Sequence, residues 1–164
     1  MTAIAPRRSA NQVAGAYVPA TRPACLPLPN PPLGILSVSA TAEDHSAVRE
    51  SLSGIPCRVQ TAESCHSAFQ SLRYGRISIV VCEGDLPDGS WRDVLERLGS
   101  SPERPFLIVT SRMADEWLWA EVLNLGGYDV LAKPFKAKEV RHVLESACLA
   151  RRDRNRGQQA AVAK

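Results

Sequence analysis

The sequence predicts a single α/β domain, a doubly wound, five-stranded parallel sheet with helices on both faces. Three observations predict it. Between residues 33 and 149, short apolar runs alternate five times with helix-periodic stretches. Two of the runs, residues 77–82 (ISIVVC) and 105–110 (PFLIVT), are apolar almost throughout, as in strands buried on both faces. Strict alternation also implies parallel strands joined by right-handed crossovers.

The elements follow in order. Residues 34–39 (GILSVS) read as the first strand. Residues 43–52 read as a helix, with Thr41 as N-cap and acids in its first turn. Gly54 and Pro56 punctuate, residues 57–62 form the second strand, and Ser64 caps a second helix that ends near Leu72. After the apolar third strand, Pro87, Asp88 and Gly89 make a turn, and Ser90 caps a third helix over 91–98. The fourth strand precedes a helix over 115–125 that Gly126 ends. Residues 128–132 and 136–149 complete the alternation. Residues 1–32 hold Pro23, Pro27, Pro29, Pro31 and Pro32 and show no helical period, so they are expected to be disordered. Residues 150–164 read as a frayed helix end and basic tail.

Composition narrows the function classes. The 164 residues are 45% hydrophobic, enough for an ordinary core, and no apolar run reaches membrane-spanning length. Residues 14–18 are too short for a secretory h-region, so a cytoplasmic location is expected. The five cysteines are odd in number and contain no CxxC pair, which argues against a disulfide framework or a zinc site. His45, His66 and His142 share no ligand spacing. The net charge of +3 conceals an acidic centre of −4 between ends of +3 and +4. Basic ends can bind nucleic acid, although more often they are simply solvated.

In open parallel sheets the functional edge lies at the carboxyl ends of the strands. Residues 126–135 (GGYDVLAKPF), 81–89 (VCEGDLPDG) and 107–111 (LIVTS) stand there. Together, in that order and spacing, they resemble the response-regulator receiver domain, the CheY-like family. The resemblance covers residues 33–149 and implies a flavodoxin-like fold with strand order 2-1-3-4-5. It also implies a chemistry, phosphoryl transfer to an aspartate, with Mg²⁺ held by an acid pair after the first strand. A hydroxyl after the fourth strand and a lysine after the fifth stabilise the added charge.

Measured against that pattern, the chain keeps Thr110 and Lys133 but departs elsewhere. A gap-free alignment puts Ser39 and Ala40 at the acid-pair positions and Glu83 at the phosphoacceptor position. Glu43 and Asp44 come later and read as acids of a helix start. Glu is one methylene longer than Asp, and in-line attack is sensitive to displacements of that size. Mg²⁺ binding is therefore expected to be weak or absent, with no other metal or cofactor. Asp85 is the candidate substitute acceptor; Asp88 fits a turn. Val130 occupies the position of the family's aromatic switch residue and is too small for that role.

The resulting expectation is a stand-alone, atypical receiver in two-component signalling that is not an enzyme and acts by phosphorylation-independent protein contact. Glu83 beside Lys133 would resemble the phosphorylated state. In the fourth helix, Leu118, Val122 and Leu125 form one stripe that cannot also hold both Trp117 and Trp119, so at least one indole is expected to reach the surface. Trp117, Trp119 and Val130 thus mark the expected partner surface, for a sensor kinase, an output protein or a second copy through helix 4. A membrane is not an expected partner. A phosphoryl-accepting receiver with a rebuilt site is the alternative, and a nucleic-acid-associated regulator using the basic ends is weaker.

Overall fold

The computed structural model describes residues 32–101 and 103–162. The elements run β1 (Leu33–Val38), α1 (Ala42–Ser51), β2 (Cys57–Ala62), α2 (Cys65–Tyr74), β3 (Ile79–Glu83), β4 (Asp85–Leu86), β5 (Gly89–Ser90), α3 (Trp91–Gly99), β6 (Phe106–Ser111), α4 (Glu116–Asn124), β7 (Asp129–Ala132) and α5 (Ala137–Val162). The main sheet has five strands in the order β2-β1-β3-β6-β7, all parallel. Counting only these strands, that is the 2-1-3-4-5 order the sequence implied. β4 and β5 form a two-residue antiparallel ribbon around the expected turn at Pro87 and Asp88.

Period-two alternation divides each strand between two cores. Leu36, Val38, Val80, Cys82, Leu107 and Val109 face the side covered by α2, α3 and α4. Leu33, Ile35, Ile79, Val81, Ile108 and Leu131 face the side covered by α1 and α5. Every central strand is buried on both faces, which is why the third and fourth apolar runs show no alternation of their own. Trp91 is 2% exposed and seals α3 against the sheet. Each such fully buried side chain contributes on the order of 1.5–3 kcal/mol.

The caps at Ser64 and Ser90 form as expected, each in a capping box. Thr41 occupies the N-cap of α1 but makes no side-chain cap; its N–H instead donates to Ser39 Oγ at 3.1 Å. Gly34 has no room for a side chain, since a Cβ would lie 1.9 Å from the Arg76 carbonyl oxygen.

One expectation is corrected. The last helix does not end at Leu149: α5 continues to Val162. Arg151 extends its buried stripe, and its guanidinium donates to the carbonyls of Glu103 and Arg104 at 2.7 and 3.1 Å. Residues 1–31, where the sequence suggests disorder, lie outside the described residues. Among the described residues, no helix is long and apolar enough to cross a membrane.

Candidate functional site

The site follows from strand register. Ser39 comes two residues after Ser37, Glu83 two after Val81, Thr110 two after Ile108, and Lys133 two after Leu131. Because side chains alternate, all four project toward the α1–α5 side at the carboxyl edge of the sheet. β3 and β6 pair Glu83 directly with Thr110. Behind them the Gly84 N–H donates to the Thr110 carbonyl, and the Lys133 N–H donates to the Ser111 carbonyl, both at 2.8 Å.

α1 covers this edge and adds Asp44. Lys133 Nζ donates to Asp44 Oδ2 at 2.5 Å and to Glu83 Oε1 at 2.7 Å. The Ser39 hydroxyl lies 2.5 Å from Asp44 Oδ2 and 2.9 Å from Glu83 Oε2. Side-chain exposures of 8% for Lys133, 13% for Asp44 and 21% for Glu83 place the triad largely out of water. Two carboxylates thus share one ammonium, in charge-assisted bonds stronger than neutral ones.

Asp44 is the site residue that the sequence reading missed. It does start a helix, but it also sits four residues before Val48, which is 1% exposed, so it lies on the inward stripe of α1. That spacing was the available signal. Glu43, one residue earlier, is exposed. Beneath the triad, His45 is 8% exposed and its Nδ1 lies 2.8 Å from Ser37 Oγ.

The remaining residues fall as follows. Ala40 is exposed beside the site and brings only a methyl group. Asp85 is exposed on the ribbon opposite Ser90, apart from the two carboxylates that hold Lys133. Asp88 caps α2, accepting from the Cys65 and His66 N–H groups at 2.7 and 2.9 Å, and these bonds hold its carboxyl below the usual range. Trp117 is 85% and Trp119 51% exposed, so both indoles reach the surface. Trp119 Nε1 donates to Asp129 Oδ1 at 3.2 Å, which ties that ring to the start of β7. Val130 is half-buried and packs on the α2–α3–α4 core. Among the described residues no group of three or more His, Cys, Asp or Glu side chains is placed to hold a metal ion.

Comparison with known proteins places this geometry. The response regulator receiver domain model matches residues 40–145. The Mycobacterium tuberculosis protein named Probable transcriptional regulatory protein TcrX is 40% identical over 95 residues, covering 57% of this chain and 39% of that protein. The chain thus spans about two fifths of the length of that relative. Among solved structures, a signal receiver domain from Vibrio parahaemolyticus superposes with a TM-score of 0.71 at 17% identity, over 76% of this chain and 95% of that one. The signal receiver domain of an HD domain-containing protein from Pseudomonas fluorescens gives 0.66 at 23% identity, over 74% and 98%. At these identities the structural likeness establishes the fold.

Proposed function

Because the chain belongs to the response regulator receiver domain family, we propose that it serves two-component signalling as an atypical receiver, working through protein contact without a phosphorylation cycle. One observation carries this reading: Lys133 is already held by two of the chain's own carboxylates, Asp44 and Glu83. In the family, this lysine answers a phosphoryl group. Here its partners are permanent.

The donor set supports the same reading. The positions that would carry the acid pair hold Ser39 and Ala40. The two carboxylates present are already bridged by the Lys133 ammonium, with which a cation would have to compete. A divalent ion would have to displace it and would find few oxygen ligands. These residues do not fit Mg²⁺. A phosphoryl group on Glu83 would bring nearly two further negative charges beside Asp44.

Contact with a sensor kinase, an output protein or a second copy would then run through α4 and β7. Trp117 and Trp119 supply large exposed rings there, and Val130 lines the strand behind. We place this activity in the cytoplasm, where Cys57, Cys65, Cys82 and Cys148 would stay reduced, as they are here.

The test is an amide NMR titration with Mg²⁺ and beryllofluoride, a phosphoryl mimic. The expected outcome is no change at Glu83, Thr110 and Lys133. Saturable, Mg²⁺-dependent shifts at those residues would overturn the reading. They would favour a second one, a phosphoryl-accepting receiver with a rebuilt site, for which Asp44 is the specific support because it returns a carboxylate to the pocket. That second reading requires a base-labile phosphoryl group on Glu83 or Asp85 after treatment with acetyl phosphate, visible by intact mass.

A further inference from the structure

We propose that the amino-terminal edge of the sheet, opposite the site, is a binding surface for the phosphodiester backbone of nucleic acid. The sequence alone ranks nucleic acid weakest, because the core shows no helix-turn-helix and no interleaving of aromatic and basic residues along the chain. The fold collects its arginines.

In a parallel α/β sheet, helices run back against the strands, so helix ends and strand starts share one edge. α1, α2 and α3 each carry an arginine in the last turn: Arg49, Arg73 and Arg97. Arg58, Arg76 and Arg104 lie at or just before the starts of β2, β3 and β6. All six are exposed. The extension of α5 adds Arg152, Arg154 and Arg156 beyond the last buried residue, Arg151. Arg151 anchors that extension to the same edge through the Glu103 and Arg104 carbonyls. Acids there are fewer than the nine arginines: Glu50, Glu96, Glu103 and Asp153, with Glu121 in the last turn of α4 and Asp129 at the start of β7.

Three features favour nucleic acid over other polyanions. The cations are arginines, whose planar forks match phosphate oxygens, whereas Lys133, Lys136 and Lys138 all lie toward the opposite edge. Aromatic rings are interleaved with them. Tyr74 is 83% exposed with the Arg73 guanidinium 5.6 Å from its ring, and the stacked Phe106–Tyr128 pair has Arg151 and Arg154 at 5.7 and 5.8 Å from Phe106. A membrane surface is disfavoured, because α5 beyond Leu149 has no apolar stripe to insert; its only large apolar residue there is Val162. The site edge, by contrast, is net acidic: its three lysines, Arg92 and Arg112 are outnumbered by acids that include Asp44, Glu63, Glu83, Asp85, Asp88 and Asp93. The field across the molecule would therefore orient an approaching polyanion toward the arginine edge.

The experiment is fluorescence anisotropy of the full chain with labelled duplex DNA, single-stranded DNA and single-stranded RNA of mixed sequence. It is run at about 50 mM and about 200 mM salt, where backbone binding differs steeply. The expected result is saturable binding to at least one probe, weakening with salt; the three arms identify which backbone is preferred. An Arg152→Gln, Arg154→Gln, Arg156→Gln variant is expected to lose about 10-fold or more at the lower salt, with a shallower salt slope. An independent Arg58→Gln, Arg76→Gln variant on the strand side is expected to weaken binding as well. Lys136→Gln, Lys138→Gln at the opposite edge should leave binding unchanged. Circular dichroism confirms that each variant is folded. Absence of binding to all three probes overturns the proposal. So does an equal loss in the opposite-edge variant. So does loss confined to an Arg7→Gln, Arg8→Gln, Arg22→Gln variant while the edge variants bind normally.

Discussion

Ser39 has one hydroxyl proton and two carboxylate neighbours, so it can donate to only one of them at a time. The remaining demand falls on Lys133, which holds both Asp44 and Glu83. Removing that ammonium would leave two mostly buried carboxylates facing each other. Lys133→Met is therefore expected to destabilise the fold by about 3–5 kcal/mol, the usual cost of breaking a buried pair from one side. Urea unfolding measures it, and a loss under about 1 kcal/mol would show that solvent already screens the triad. The pairing of Glu83 with Lys133 was legible from the spacing of the strand-end motifs. Asp44 was not, because helix-start acids are common and usually solvated. What sets it apart is its phase on α1, and that becomes visible only once the helix is aligned on Val48.

At the scale of elements, the caps at Ser64 and Ser90 and the stop at Gly126 could be read directly, since each rests on local chemistry. The end of α5 could not. The apolar period fades after Cys148, and pattern reading stops the helix with it. The buried stripe nevertheless continues for one more step through Arg151, which sits three residues after Cys148 and seven after Leu144. Its guanidinium does there what a leucine could not, satisfying two backbone carbonyls in the loop ahead of β6. Burial, and then the nearby Arg154, pull its pKa down from the ordinary arginine value, yet it remains a cation. Arg151→Met keeps the length and loses both bonds. The expected cost is about 2–3 kcal/mol, since hydrogen bonds to charged groups are worth more than neutral ones. Hydrogen exchange should quicken from Arg152 to Val162 and around Arg104. Unchanged exchange in the helix extension would mean that intrinsic helix propensity, not Arg151, holds it.

Across the whole molecule, the alternation of strands and helices dictated a parallel sheet and, with it, two cores that surround buried thiols. Those thiols and the capping carboxylates act oppositely on the pH dependence of stability. Backbone donors from His66 and Cys65 hold Asp88 below the usual carboxyl range, and donors from Ser90 do the same for Asp93. The native chain thus binds fewer protons than the unfolded chain in acid. This stabilisation is complete above about pH 4 and is lost as the pH falls through the lowered native values. Burial, followed by the nearby Cys57, pushes Cys148 up to about 11; burial, followed by Asp88 and Asp93, pushes Cys65 up to about 11. Here the native chain keeps protons that unfolded thiols release from about pH 8.5 upward. That contribution is complete below this pH and disappears as the pH rises toward 11. Urea midpoints should therefore form a plateau between about pH 5 and 8, falling on both sides. Cys65→Ala with Cys148→Ala is expected to lower the plateau, because each substitution removes buried sulfur, but to make the alkaline fall shallower. Cys57, Cys82 and Tyr128, shifted the same way by burial, keep it from vanishing. An alkaline limb as steep in the double variant as in the parent would assign the fall to other groups.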